Sequence, residues 1–300
     1  MEPNPVLKAL GLADDDRVVI IHVDDVGMCQ ATVSAFADLL GFGLISSGAI
    51  MVPCPWFPRV AATYRGDTAV DLGVHLTLTS EWDAYRWGPI STRDVDSGLL
   101  DDEGYMYRRS EGVQAHGDPA AVRLELEAQV ARALDAGIDV THVDTHMGTV
   151  AHPKFVSLYV QLAHEYRLPM MMLRLDEAGW RALGMDHETA VFAAQFVQQL
   201  EAQGVPLLDR LASLPLDRPD ARMAQAKAVF DSLPPGLTHF LIHPAHDTPE
   251  LRAIAPDWPS RVADYQTFMS PELRDYVRNS GVHVIGYRAL REVVRGMSGG

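Results

Sequence analysis

Two adjacent aspartates, Asp24 and Asp25, close the apolar run Val18-Val19-Ile20-Ile21-His22-Val23 and are followed by Val26-Gly27. The run is short, β-branched and bounded by polar residues, so it reads as a buried strand. Neighbouring side chains on a strand point to opposite faces, so two carboxylates at its end can take different roles around one site. In a parallel barrel the C-terminal strand ends build the active site. Further strand-like runs end in groups of the same chemical kind: His75, the pair Asp144 and His146, and His243. Imidazole and carboxylate are ordinary ligands of zinc and also suit manganese, iron and nickel. His142 and His146 flank Asp144 at period-two spacing, which in extended backbone places them on one face. A lone strand-end histidine commonly bonds to backbone, and a strand-end aspartate is commonly a turn residue. Here the same chemistry recurs at several strand ends, and separate structural explanations would have to coincide. The pattern points to a metal hydrolase.

Strand-like and helix-like segments alternate along the chain, which favours a parallel α/β fold. Strands are expected up to Asp25, over 44–52, 69–78, 138–143, 170–173 and 237–242, with a closing strand over 281–285. Helices are expected over 31–43, from Pro119 to Leu134, from Pro153, from Pro271 and after residue 285. Asp118-Pro119 has the form of an N-cap followed by proline at the first helical position. Residues 176–235 read as mostly helical, with a short apolar break near 205–208. That makes seven or eight strands in a single domain spanning 1–300. Residues 80–117 lose periodicity and carry Trp82, Tyr85, Trp87, Tyr105 and Tyr107. They read as a long inserted loop, either a functional lid or a surface excursion packed on the barrel.

The 300 residues are 47% hydrophobic, enough for a large core, and carry a formal net charge of −15. That charge argues against a nucleic-acid partner, which needs a basic surface. No stretch approaches the ~20 apolar residues of a membrane span, and the N-terminus shows no secretory pattern, so a cytoplasmic protein is expected. Cys29 and Cys54, the two cysteines, read as small buried hydrophobes. His22 and His239 lie inside apolar strands and are expected to serve structure. His116, His164 and His187 are expected to be solvated.

Four segments occur in an order that resembles one family: Asp24-Asp25-Val26-Gly27, Gly73-Val74-His75-Leu76-Thr77-Leu78, Thr141-His142-Val143-Asp144-Thr145-His146 and His243-Pro244. The chain is similar to YdjC-type (ChbG/HpnK) carbohydrate deacetylases from about Val18 to Val294. The resemblance implies a distorted, TIM-like (β/α) barrel. It implies a divalent metal ion, zinc or magnesium, with manganese and nickel as alternatives, held by Asp25, His75 and His146. It implies Asp24 as general base, His243 as general acid or oxyanion partner, and Arg174 as a group that orients a carboxylate or the substrate. Trp82 and Trp87 would stack on sugar faces. The expected substrate is a small N-acetylated carbohydrate, with no membrane partner and a homo-oligomeric state left open. The chain departs from the family pattern at His22, Val26 and Gly148, where asparagine, phenylalanine and histidine are usual; His152 is a candidate to replace in part the imidazole missing at Gly148. Two alternatives remain: a metal-dependent esterase or phosphoesterase, and a non-catalytic sugar-binding barrel.

Overall fold

The computed structural model describes residues 2–296. The strands are β1 (Arg17–Val26), β2 (Ser47–Ile50), β3 (Leu72–Leu76), β4 (Val140–Thr145), β5 (Arg210–Ser213), β6 (Gly236–Ile242) and β7 (His283–Val284), of which β1 is the longest β-branched run. All pair in parallel, in the order β4-β3-β2-β1-β6-β5, with β7 beside the start of β1. The two edges are joined through residues 170–173. Val143 bridges to Met170 and Leu173 to Leu208. Met171 N donates to Val143 O (3.0 Å), Leu208 N to Met172 O (2.9 Å) and Asp209 N to Leu237 O (2.8 Å). The result is a distorted (β/α) barrel of the expected class, with single bridges where a continuous fifth strand was expected. β5 lies where a helical stretch was expected; its pattern is largely exposed and lacks a buried run.

The helices are α1 (Pro5–Ala9), before β1, then α2 (Gln30–Phe42), α3 (Phe57–Tyr64), α4 (Ser110–His116), α5 (Pro119–Asp135), α6 (Val156–Tyr166), α7 (Glu177–Ala182), α8 (His187–Ala202), α9 (Arg222–Asp231), α10 (Pro249–Ile254), α11 (Trp258–Phe268) and α12 (Pro271–Asn279) between strands, and α13 (Tyr287–Gly296) after β7. α5 starts as its sequence requires: the Asp118 carboxylate accepts from Ala120 N (2.9 Å) and Ala121 N (3.0 Å), and Pro119 opens the first turn. None of the described helices is long and apolar enough to cross a membrane.

Side-chain alternation along the strands divides the core. Val19, Ile21 and Val23 of β1 pack outward with helix residues such as Phe36 and Leu39, whereas Val18 and Ile20 pack with Leu237 of β6 and Tyr287 of α13. The same period places His22 and Asp24 on the face of Val18 and Ile20, and His239 on the face of Leu237. On β3 the outward residues are Leu72, Val74 and Leu76, leaving Gly73 and His75 to face the interior. The upper half of the barrel interior is therefore filled by imidazoles and carboxylates. Cys29 and Cys54 are buried and free, as expected.

The 80–117 segment is an irregular excursion ending in α4. It is pinned by Arg86, which donates to Asp101 Oδ2 (2.6 Å) and Glu103 Oε2 (3.0 Å). Its Trp87 and Met106 pack against Met28, Met51 and Cys54 at the barrel mouth.

Candidate active site

The two aspartates of β1 sit in a backbone irregularity. β1 pairs with β2 at His22–Ser47 and Val23–Gly48, then resumes at Val26–Ile50, with the register shifted between. Asp25 has φ +61°, in the left-handed region that non-glycine residues seldom occupy. A bulge of this kind re-aims side chains. Asp24 and Asp25, which a regular strand would point apart, both approach one imidazole: His75 Nε2 is 3.9 Å from Asp24 Oδ2 and 3.6 Å from Asp25 Oδ1.

His75 and Asp144 are register partners on β3 and β4. Asp144 Oδ1 accepts from His75 Nδ1 at 2.8 Å, which leaves His75 Nε2 facing the aspartates. His146, just past β4, has Glu81 Oε2 at 3.0 Å from its Nε2 and turns its Nδ1 to Asp25 Oδ1 at 3.3 Å. Each imidazole thus has one nitrogen engaged by a carboxylate and the other directed at Asp25, the arrangement by which carboxylates orient metal-binding histidines. The second Asp25 oxygen accepts from Arg261 of α11 at 2.7 Å, and Arg261 also donates to Asp257 Oδ1 at 3.0 Å. Its guanidinium lies 5.5 Å from the ring centre of the half-buried Trp82. His243, one residue beyond β6, places Nε2 3.7 Å from Asp24 Oδ2, and its backbone N–H donates to Asp264 Oδ2 at 3.0 Å.

Burial and charge set the protonation of these groups. Burial raises Asp24 to about 6, with His75 and His22 opposing. Burial also acts to raise Asp25, but Arg261 and His146 hold it well below the usual carboxylate range. Burial disfavours charge on His75, yet Asp144 and Asp24 raise it to about 9; His146 rises to about 10 against the same burial, chiefly through Glu81. Burial pushes His243 down to about 3, so its imidazole is neutral.

The donor set suits a divalent cation. Asp25 Oδ1 is buried without a hydrogen-bond donor, which is uncommon for a carboxylate oxygen. Ligand atoms of Asp25, His75 and His146 lie within 4.8 Å of one another. Two overlapping groupings, His22–His142–Asp144 and Asp24–His75–Asp144, use an Asp144 whose oxygens are already engaged by His75 (2.8 Å) and His22 (3.0 Å); in the third, His22–Asp24–His239, both His22 nitrogens are engaged, by Ser47 (2.6 Å) and Asp144 (3.0 Å). One carboxylate and two imidazoles are a donor set typical of catalytic zinc, with positions open to solvent and substrate.

Asp24, Asp25, His75, His146 and His243 therefore meet at one mouth, with Trp82 at its edge. Arg174 does not join them. Its guanidinium is bound to Glu201 (2.6 Å), Asp209 (3.0 Å) and the Glu2 carbonyl (3.1 Å), where it ties the N-terminal segment to α8 and the barrel wall. Trp87 is 4% exposed and donates from its indole nitrogen to Thr79 O, so it packs the loop and presents no open face. His152 is engaged locally, its Nδ1 accepting from Lys154 N at 3.2 Å. At Gly148, φ is +67° and a Cβ would meet no atom within 4 Å. His142 sits deeper than His146, with its ring stacked on Tyr287 at 3.9 Å. His239 serves structure as expected, its Nδ1 2.8 Å from Tyr287 Oη, and His116, His164 and His187 are exposed. His22 differs from its expected structural role: it touches Asp24 and Asp144. Glu81 and Arg261 were not anticipated. Glu81 lies shortly after the His75 segment, beyond Thr79 and Ser80, a weak local signal; Arg261 lies 236 residues from Asp25 and has none.

Known proteins resemble this chain over most of its length. The sequence profile described as YdjC-like protein matches residues 18–279. A carbohydrate deacetylase of Thermus thermophilus is 35% identical over 293 residues, covering 96% of this chain and 99% of its own. A carbohydrate deacetylase of Thermoanaerobacter pseudethanolicus is 22% identical, covering 92% of this chain and 100% of its own. An Enterococcus faecalis crystal structure named for cellobiose-phosphate cleavage shares the fold, with a TM-score of 0.75 at 20% identity, over 92% of this chain and 99% of that one. With the four segments converging at one barrel mouth and the family profile spanning most of the sequence, this chain belongs to the YdjC-like family.

Proposed function

We propose that this protein is a metal-dependent carbohydrate deacetylase that hydrolyses the acetamide of an N-acetylated sugar. The carrying observation is the pair of neighbouring buried carboxylates with different surroundings. Asp25 is held ionised by Arg261 and faces two oriented imidazoles, while Asp24, raised to about 6, lies beside them with Oδ1 unpartnered. Environments that push two carboxylates apart mark a division of labour between them. The names of the Thermus and Thermoanaerobacter relatives support the substrate class.

Asp25, His75 and His146 would hold the cation. When bound, it supplies Lewis-acid polarisation of an acyl oxygen and increases the acidity of water. Asp24 takes the proton of the attacking water as the new C–O bond forms. It then returns that proton to the sugar nitrogen as the C–N bond breaks, giving acetate and a free amine. A group that titrates near neutrality suits both transfers. His243 is neutral, so of its two expected roles a hydrogen bond to the developing oxyanion fits better than proton donation. Trp82 offers the aromatic edge against which a sugar ring can rest.

The test is acetate release from chitooligosaccharides and other N-acetylhexosamines with zinc, magnesium, manganese or nickel supplied, beside a panel of simple esters and phosphoesters. Acetate from an N-acetyl sugar supports the reading. Turnover confined to esters or phosphoesters replaces it with the hydrolase alternative, and binding without turnover replaces it with a sugar-binding barrel.

A further inference from the structure

We propose that His22 is a positioning residue that holds the proton-accepting carboxylate Asp24 and the imidazole-orienting carboxylate Asp144 in one geometry; the inference rests on the deacetylase reading above. His22 is fully buried, on the inner face of β1. Its Nε2 is 3.0 Å from Asp144 Oδ2 and 3.3 Å from Asp24 Oδ1. Asp144 Oδ2 accepts the single Nε2 proton, so Nε2 is the protonated nitrogen, and Asp24 Oδ1, which has no hydrogen-bond donor of its own, lies within electrostatic reach of the same N–H. The ring orientation is set from the other side, where Nδ1 meets Ser47 Oγ at 2.6 Å. Ser47 is the register partner of His22 on β2. The opposite oxygen of Asp144 bonds His75 Nδ1 at 2.8 Å.

A single run of contacts thus reads Ser47–His22–Asp144–His75, with Asp24 Oδ1 3.3 Å from the same His22 nitrogen. One imidazole limits the freedom of both carboxylates. It restrains Asp144, which fixes the rotation of His75 and the direction of the nitrogen turned toward Asp25. It also restrains Asp24 immediately before the strained Asp25 backbone. Without it, two buried carboxylates would stand close together with no donor between them. Each would then turn toward whatever else donates, His75 included. His22 does not itself face the mouth, so it acts through its neighbours.

The experiment compares His22→Leu, which keeps bulk and removes the donor, with His22→Gln, which retains an N–H near the Nε2 position. Zinc affinity is measured on chelator-stripped protein by competition titration, and kcat and KM for acetate release are measured at saturating zinc. His22→Leu should weaken zinc binding by roughly 10–100-fold, the usual consequence of losing an outer partner of a ligand histidine. Its kcat should fall by roughly 10-fold or more with KM little changed, because substrate contacts are untouched. His22→Gln should recover most of both losses. Parent-like zinc affinity and kcat in His22→Leu would overturn the proposal, as would a His22→Gln variant no better than His22→Leu. If His22→Leu does not fold, Ser47→Ala, which frees the ring to rotate, should show the same losses to a smaller degree, and parent-like values there would count as refutation. Zinc affinity is read without substrate, so it decides on His22 even if the parent releases no acetate.

Discussion

Replacing Arg261 by methionine keeps most of the aliphatic stem and removes the charge that faces Asp25. Both side chains are nearly inaccessible, at 3% and 2% exposure, and the contact is 2.7 Å. With charge centres about 4 Å apart and an effective dielectric of about 20, the lost attraction is about 4 kcal/mol. Breaking one side of a buried pair typically costs about 3–5 kcal/mol, since the remaining charge is left without compensation. The contact with Trp82 adds about 0.5–1 kcal/mol. For a chain of this size such a loss lowers Tm by roughly 6–10 °C. The assay is thermal unfolding by circular dichroism of chelator-treated protein, repeated with saturating zinc. The deficit of Arg261→Met should shrink with zinc, because a cation held by Asp25 supplies the missing positive charge. The double variant Asp25→Asn/Arg261→Met should be more stable than the sum of the two single losses implies, since it leaves neither charge alone. A Tm within about 1 °C of the parent, or additive losses in the double variant, would refute the argument that Arg261 exists to compensate Asp25.

Asp24→Asn should keep its zinc and lose roughly 10²-fold or more in acetate release, the usual worth of a positioned base; parent-like turnover would remove Asp24 from that role. His75→Ala and His146→Ala should each purify with much less metal by elemental analysis, whereas Arg174→Ala should keep parent metal content and turnover, with any effect confined to stability. Gly73→Ala should destabilise by about 1–3 kcal/mol in denaturant unfolding, the range for overpacking a filled interior. Its Cβ would fall 2.4 Å from the His142 ring, which is already stacked on Tyr287.

The parts of this protein that could be read in the residues are those encoded over short distances. β-Branched runs specify strands and Asp118-Pro119 specifies a helix start, because propensity and capping act within a few residues. Polar groups after those runs identify Asp24, Asp25, His75, His146 and His243 as neighbours once the strands are parallel, since parallel pairing brings every C-terminal end to the same side. β5 escaped notice because an exposed Arg-Leu-Ala-Ser segment carries little strand signal of its own. Only the tertiary structure decided that Asp24 and Asp25 converge, because a bulge and a left-handed residue override strand alternation there. It also decided the partners. Arg261 reaches Asp25 from α11, Glu81 reaches His146 from the inserted loop, and His22 stands between Asp24 of its own strand and Asp144 of β4. Arg174 shows the converse: the family resemblance implied a place for it at the site, yet Glu201 and Asp209 hold its guanidinium elsewhere. Local sequence fixes which way a backbone runs and which face a side chain takes. A buried charge is matched by whatever residue packing brings within reach, and that match can come from anywhere in the chain.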